Sequence, residues 1–125
     1  MVRIPEKVAT AWSEKVNAPI FTTVGSDGTP NSIYATCMRI YGDDMLVIAD
    51  NFFSKTKKNI MEGSKGTVLF ITKENTSFQI KGSLEYVTEG SYFDFMKSWN
   101  PKKLPGHAAV ALKVEAVFSG SDKLA

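Results

Sequence analysis

Apolar residues recur along this chain with two periods, and the switch between them lays out its elements. Ile4, Val8, Ala11, Trp12 and Val16 share one helical face, with Glu6, Lys7, Ser13 and Glu14 off it. Pro5 suits a first helical position, so the spacing predicts a helix over Pro5–Val16 that stops at Asn17. The period then drops to two. Ala18–Val24 is rich in β-branched and aromatic residues and reads as a strand. Two turn-rich stretches, Gly25–Pro30 and Gly42-Asp43-Asp44, bracket a second strand over Asn31–Tyr41, and a third runs over Met45–Ala49. These are hairpin spacings, so the sheet starts antiparallel.

Asn51–Glu62 interrupts the strands. Ser54–Met61 looks helical, with Gly63 as its stop. Thr67–Thr72 is a short apolar strand. In the strand Ser77–Val87, Phe78, Ile80, Leu84 and Tyr86 alternate with Gln79, Lys81, Ser83 and Glu85. Gly82 empties one place in the apolar row, which signals a bulge, a bend or a close backbone approach. Tyr92, Phe95, Met96 and Trp99 return to helical spacing over Glu89–Trp99, a stripe that suits packing on a core, and Asn100-Pro101 ends that helix. His107–Phe118 reads as a last strand and Ser119–Ala125 as a loose tail. The sum is a mainly β chain of about six strands with short helices, which suits a small antiparallel barrel that hides its edges.

With 125 residues the chain makes one domain, and its 43% hydrophobic and 22% charged residues exclude a disordered one. Fifteen Lys and Arg against thirteen Asp and Glu leave +2, too balanced for a nucleic-acid binder. Cys37 is the one cysteine and His107 the one histidine, so neither an intrachain disulfide nor a Cys/His zinc site can form. Charge appears too early after Met1 for a signal peptide, and no apolar run approaches the roughly 20 residues of a membrane span. A soluble, cytoplasmic protein is the expectation.

Charge becomes informative only locally. Asn51–Gly66 carries Lys55, Lys57, Lys58 and Lys65 against Glu62. Ser54 is a candidate N-cap, with Thr56 and Asn59 just inside the helix. Hydroxyls, lysines and the free N–H groups of a helix start make a phosphate site; a solvated lysine face is the other reading of the same residues. Arg39 stands among apolar neighbours, either to bind an anion or to lie on the outer face of the sheet. Cys37 reads as a small buried hydrophobe and His107 as a surface histidine. No G-x-S-x-G, Walker A, H-E-x-x-H or C-x-x-C motif is present, which removes the main support for hydrolase, kinase-like and metalloenzyme chemistry.

Taken in order, the pattern resembles the flavin-binding split-barrel family, which includes pyridoxamine 5′-phosphate oxidases and small FMN-binding proteins. The likeness runs from about residue 5 to residue 118. Its most specific element is Ser54-Lys55-Thr56-x-x-Asn59 directly after the third strand, followed by Ile80-Lys81-Gly82-Ser83. The resemblance implies that Ser54, Lys55, Thr56 and Asn59 grip the phosphate of FMN. It further implies that Tyr34, Ala35 and Thr36 lie along the isoalloxazine ring, with Asp50 near the ring or ribityl chain. Ser77 and Gln79 would meet the flavin across the interface of a homodimer, and Arg39 would stand on the substrate side.

The resemblance implies an FMN-dependent oxidoreductase acting on a small organic substrate. The alternative is a non-enzymatic FMN-binding or electron-transfer protein. The basic C-terminal extension of true pyridoxamine phosphate oxidases is missing from Ser119–Ala125, so that activity is not expected. Other members of the family use a deazaflavin or handle haem.

Overall fold

The computed structural model describes residues 2–125. The elements are α1 (Glu6–Ser13), β1 (Lys15–Val24), β2 (Pro30–Tyr34), β3 (Met38–Tyr41), β4 (Met45–Asp50), α2 (Lys55–Met61), β5 (Gly66–Thr72), β6 (Ser77–Val87), α3 (Ser91–Trp99), β7 (Ala108–Ser119) and β8 (Asp122–Lys123). The sheet is antiparallel, in the order β2-β1-β5-β6-β7-β4-β3, with β8 paired to β7.

The segment expected as one strand, Asn31–Tyr41, is two. β2 pairs with β1 on one edge of the sheet, and β3 pairs with β4 on the other. Only Ala35, Thr36 and Cys37 lie between them. Four residue steps span at most about 14 Å, so the two edges must approach each other and the sheet must curl. This is a split barrel: the strand order is open, but one chain segment hands over from edge to edge. The link is tied on both sides, because Ala35 N–H donates to Pro19 O and Ala49 N–H donates to Cys37 O, each at 2.9 Å.

Burial follows from the curl. Phe21, Leu46, Ile48, Val68, Ile80, Val110 and Leu112 point inward and are fully buried. All six residues of β4 are buried, because α3 covers its outer face; Met96 packs there with Val47, Ala49 and Ala109. Of the α3 stripe, Met96 is buried, and half-buried Tyr92, Phe95 and Trp99 pack against the same cluster, as their spacing suggests. Trp12 of α1 meets Phe70 edge-on at 5.0 Å.

Three boundaries depart from the expected ones. α1 ends at Ser13 rather than Val16, and Asn17 sits inside β1 at φ 62°, where the pairing with β5 shifts register. The C-terminal residues are not loose: the chain turns at Gly120 (φ 57°), β8 pairs with β7, and Leu124 and Ala125 pack on the core. Eight strands therefore replace the expected six or so. No helix among the described residues is long and apolar enough to cross a membrane.

Candidate functional site

The link and the start of α2 face one groove. A cleft of about 420 Å³ is lined by Ile33, Tyr34, Ala35, Thr36, Cys37 and Ala49, with Asn51, Phe52, Phe53 and Leu104 opposite. A smaller one of about 120 Å³ continues it past Ile33, Phe52 and Phe53 to Asn31, Ser54, Lys55 and Thr56. The shared residues make this one groove along β2. From Asn31 to Thr36 it runs five strand steps, about 16 Å.

At the α2 end, Ser54 occupies the N-cap position but makes no side-chain cap bond, and both Ser54 and Lys55 are exposed. Their hydroxyl and ammonium are donors facing water. Thr56 is buried, and its Oγ1 accepts from Asn31 Nδ2 at 3.0 Å, which fixes β2 to α2. Asn59 is buried as well and donates to Thr23 Oγ1 at 3.0 Å. At the other end Thr36 is exposed, and its backbone bonds to neither sheet edge among the described residues. Its peptide N–H and C=O are thus unengaged at a residue that lines the groove.

Asp50 lies beneath this surface, 2% exposed. Its Oδ1 accepts from Phe53 N–H at 2.9 Å and its Oδ2 from the Tyr86 hydroxyl at 2.6 Å. The carboxylate therefore holds the Asn51–Phe53 turn, which presents the groove's aromatic wall; Phe52 is 77% exposed. Burial, and then the bond to Asp50 and its negative charge, push the Tyr86 phenol well above its ordinary range. A group raised in the folded state gives its full stabilisation below its unfolded value, near pH 10, and loses it as the pH climbs further. Tyr86→Phe is expected to cost about 1–2 kcal/mol at neutral pH and to flatten the fall in stability above about pH 10. Urea midpoints of both proteins between pH 7 and 11 check both effects.

A second buried network ties the far wall down. Asn51 Nδ2 donates to Asn100 Oδ1 at 3.1 Å, Asn100 Nδ2 donates to Asn51 Oδ1 at 2.9 Å, and Gly106 N–H donates to the same Asn51 oxygen at 2.9 Å. These bonds pin the α3–β7 connection that carries Leu104.

The remaining expected positions lie elsewhere. Ser77 lines a different cleft, of about 620 Å³, with Val16, Ile20, Leu69 and Ile71 on the outer face of β1 and β5; Tyr34 is common to both clefts. Gln79 stands in register with Leu69, which pairs with Ile20, which pairs with Tyr34, so all four share one row across that outer face. The Arg39 guanidinium rests over the Trp99 ring, 5.5 Å from its centroid. Cys37 is half-buried at the groove wall rather than sunk in the core. His107 is exposed, and its N–H donates to Asp50 O at 2.8 Å. Sequence reasoning did not single out Asn51, Phe52 or Leu104 as groove residues. Two adjacent phenylalanines in a break between elements were the available signal; the Asn51–Asn100 pairing, across 49 positions, left none.

A family model described as pyridoxamine 5′-phosphate oxidase matches residues 4–119. The chain belongs to that family. An uncharacterized protein of Methanocaldococcus jannaschii is 26% identical over 95% of this chain and 82% of its own length. The structure of HupZ from Group A Streptococcus superposes with a TM-score of 0.84 at 25% identity, covering 98% of each chain. An FMN-binding protein from Syntrophomonas wolfei superposes with a TM-score of 0.79 at 21% identity, covering 93% of this chain and 85% of its own. The oxidase family's split barrel accounts for the curled sheet and the handover at residues 35–37.

Proposed function

We propose that this protein is an FMN-dependent oxidoreductase acting on a small organic substrate. One observation carries the reading: the unbroken groove along β2, with unengaged donors at both ends. Its α2 end suits a phosphate, since Lys55 supplies a cation and Ser54 an uncommitted hydroxyl. Its other end suits a flat ring, since the Thr36 backbone N–H and C=O are unengaged and neither Ala35 nor Thr36 carries a bulky side chain. Bound there, FMN supplies the redox chemistry. Lys55 and Ser54 anchor one end of it, Thr36 orients the ring, and the Phe52 and Leu104 walls limit water and admit a small substrate. Asp50, Thr56 and Asn59, already bonded within the chain, hold those groups in place from below.

A second copy of the chain completes the site in this reading. The outer row of Tyr34, Ile20 and Leu69 is an apolar face with Ser77 and Gln79 at its margin, and it adjoins the groove at Tyr34. A partner packed on that face brings its own Ser77 and Gln79 toward the flavin. FMN is then expected to raise the melting temperature and to suppress dissociation together, because a ligand shared by two chains stabilises the assembly.

The absorption spectrum of the purified protein, before and after FMN titration, tests the cofactor. Steady-state turnover with NAD(P)H and a panel of acceptors tests the reaction. Uptake of a deazaflavin or haem in preference to FMN overturns the cofactor, and FMN uptake without turnover overturns the enzyme.

A further inference from the structure

FMN ends at its phosphate; the groove does not. Lys55 and Asn31, which line the 120 Å³ cleft at the phosphate end, also line a further cleft of about 380 Å³ between α2 and the β1–β2 turn. This outer cleft is bounded by Gly25, Asp27, Thr29 and Pro30 on the turn and by Lys58 and Asn59 on the helix. Lys55 therefore stands at a border between two spaces and not at the closed end of one.

The chemistry of the outer cleft is mixed in a specific way. Lys58 lies one helical turn beyond Lys55 and offers a second cation. Its ion pair with Glu62, at 3.4 Å, is exposed, so it holds the ammonium only weakly. Across from it, Asp27 Oδ1 accepts from Thr29 N–H at 2.9 Å, which orients the carboxylate at the rim. The Thr29 N–H and hydroxyl, aided by the Lys58 charge, hold that carboxyl below its ordinary range, so it stays an acceptor. A carboxylate disfavours a phosphate but suits a ribose diol, whose two hydroxyls donate. Gly25 keeps the floor clear: a Cβ there would stand 3.0 Å from Asp27 Oδ1 and 3.4 Å from Asn59 Oδ1.

We propose that the groove accommodates a flavin carrying a second phosphate and a nucleoside beyond the first, of the flavin adenine dinucleotide kind, with Lys58 on the second phosphate and Asp27 on the ribose hydroxyls. This rests on the reading of a flavin along β2, extends it past Lys55, and makes FAD rather than FMN the preferred form of that flavin.

Calorimetric titration of the full chain with riboflavin, FMN and FAD tests it. FAD is expected to bind at least about tenfold more tightly than FMN. Lys58→Glu is expected to lower FAD affinity by about tenfold or more while changing FMN affinity by less than about threefold. Retained FMN binding shows that the variant is folded; should it bind neither, Lys58→Ala is compared in the same way. FAD binding no tighter than FMN, or Lys58 substitution weakening both alike, overturns the outer site and leaves the FMN reading standing. Failure of all three flavins to bind overturns the flavin reading itself.

Discussion

Gly82→Ala is expected to cost about 3 kcal/mol or more, because no other glycine in this chain is approached so closely by backbone. Gly82 lies mid-β6, where the pairing with β7 slips: Lys81 faces Ala116 and Gly82 faces Val114, leaving Glu115 over. The slip brings the backbones close. A Cβ on Gly82 would overlap the carbonyl of Lys113 and stand 2.9 Å from Leu112 Cδ2. A flexible side chain could swing aside, but a carbonyl bonded into the sheet cannot without breaking the ladder on both sides. β6 and β7 form the longest pairing in the fold, and Leu112 and Val117 beside the contact are fully buried. Urea denaturation checks the size of the loss. A midpoint close to the parent's would mean that the bulge relaxes freely and that the close approach does not constrain the barrel.

Lys55→Ala is expected to weaken FMN binding by about one to two decades, because a charge-assisted contact to phosphate contributes roughly 1.5–3 kcal/mol. The substitution should leave the fold intact, since Lys55 is exposed and makes no ion pair among the described residues. Riboflavin, which lacks the phosphate, provides the internal comparison: its affinity should be almost the same for Lys55→Ala and parent. Rising salt should narrow the gap between the two proteins for FMN and leave riboflavin unmoved. Equal FMN affinity for both proteins would remove the phosphate from this end of the groove.

Local sequence set the elements that obey one period along their whole length. β6 spans the expected Ser77–Val87, and β4, β5, α2 and β7 fall within a residue or so of their expected limits. What escaped depended on distant partners. Tyr34-Ala35-Thr36-Cys37-Met38 holds no glycine or proline, so nothing local marks the place where the chain leaves β1 for β4. The alternation of side chains continues through the handover, and the curl of the sheet decides which edge each half joins. The tail escaped for a similar reason: two residues of pairing and two small apolar contacts are too short to register as a period. Along the groove, Lys55 stood out beforehand because charge clusters in sequence. Asp50 entered only through the resemblance and Asn59 through its place in the helix, whereas their bonds to Thr23, Phe53 and Tyr86 are visible only once the chain has folded.

Two of the three residues that carry the chain across the split, Ala35 and Thr36, are also among those on which the proposed ring rests. Ala35 answers to β1 and Cys37 to β4, so Thr36 is the only step at which the two rims can move against each other. Widening the mouth of the barrel and loosening the floor under a ligand are therefore one motion. A molecule lying on this hinge works as a splint, and how stiff the barrel is and how full the groove is become a single quantity.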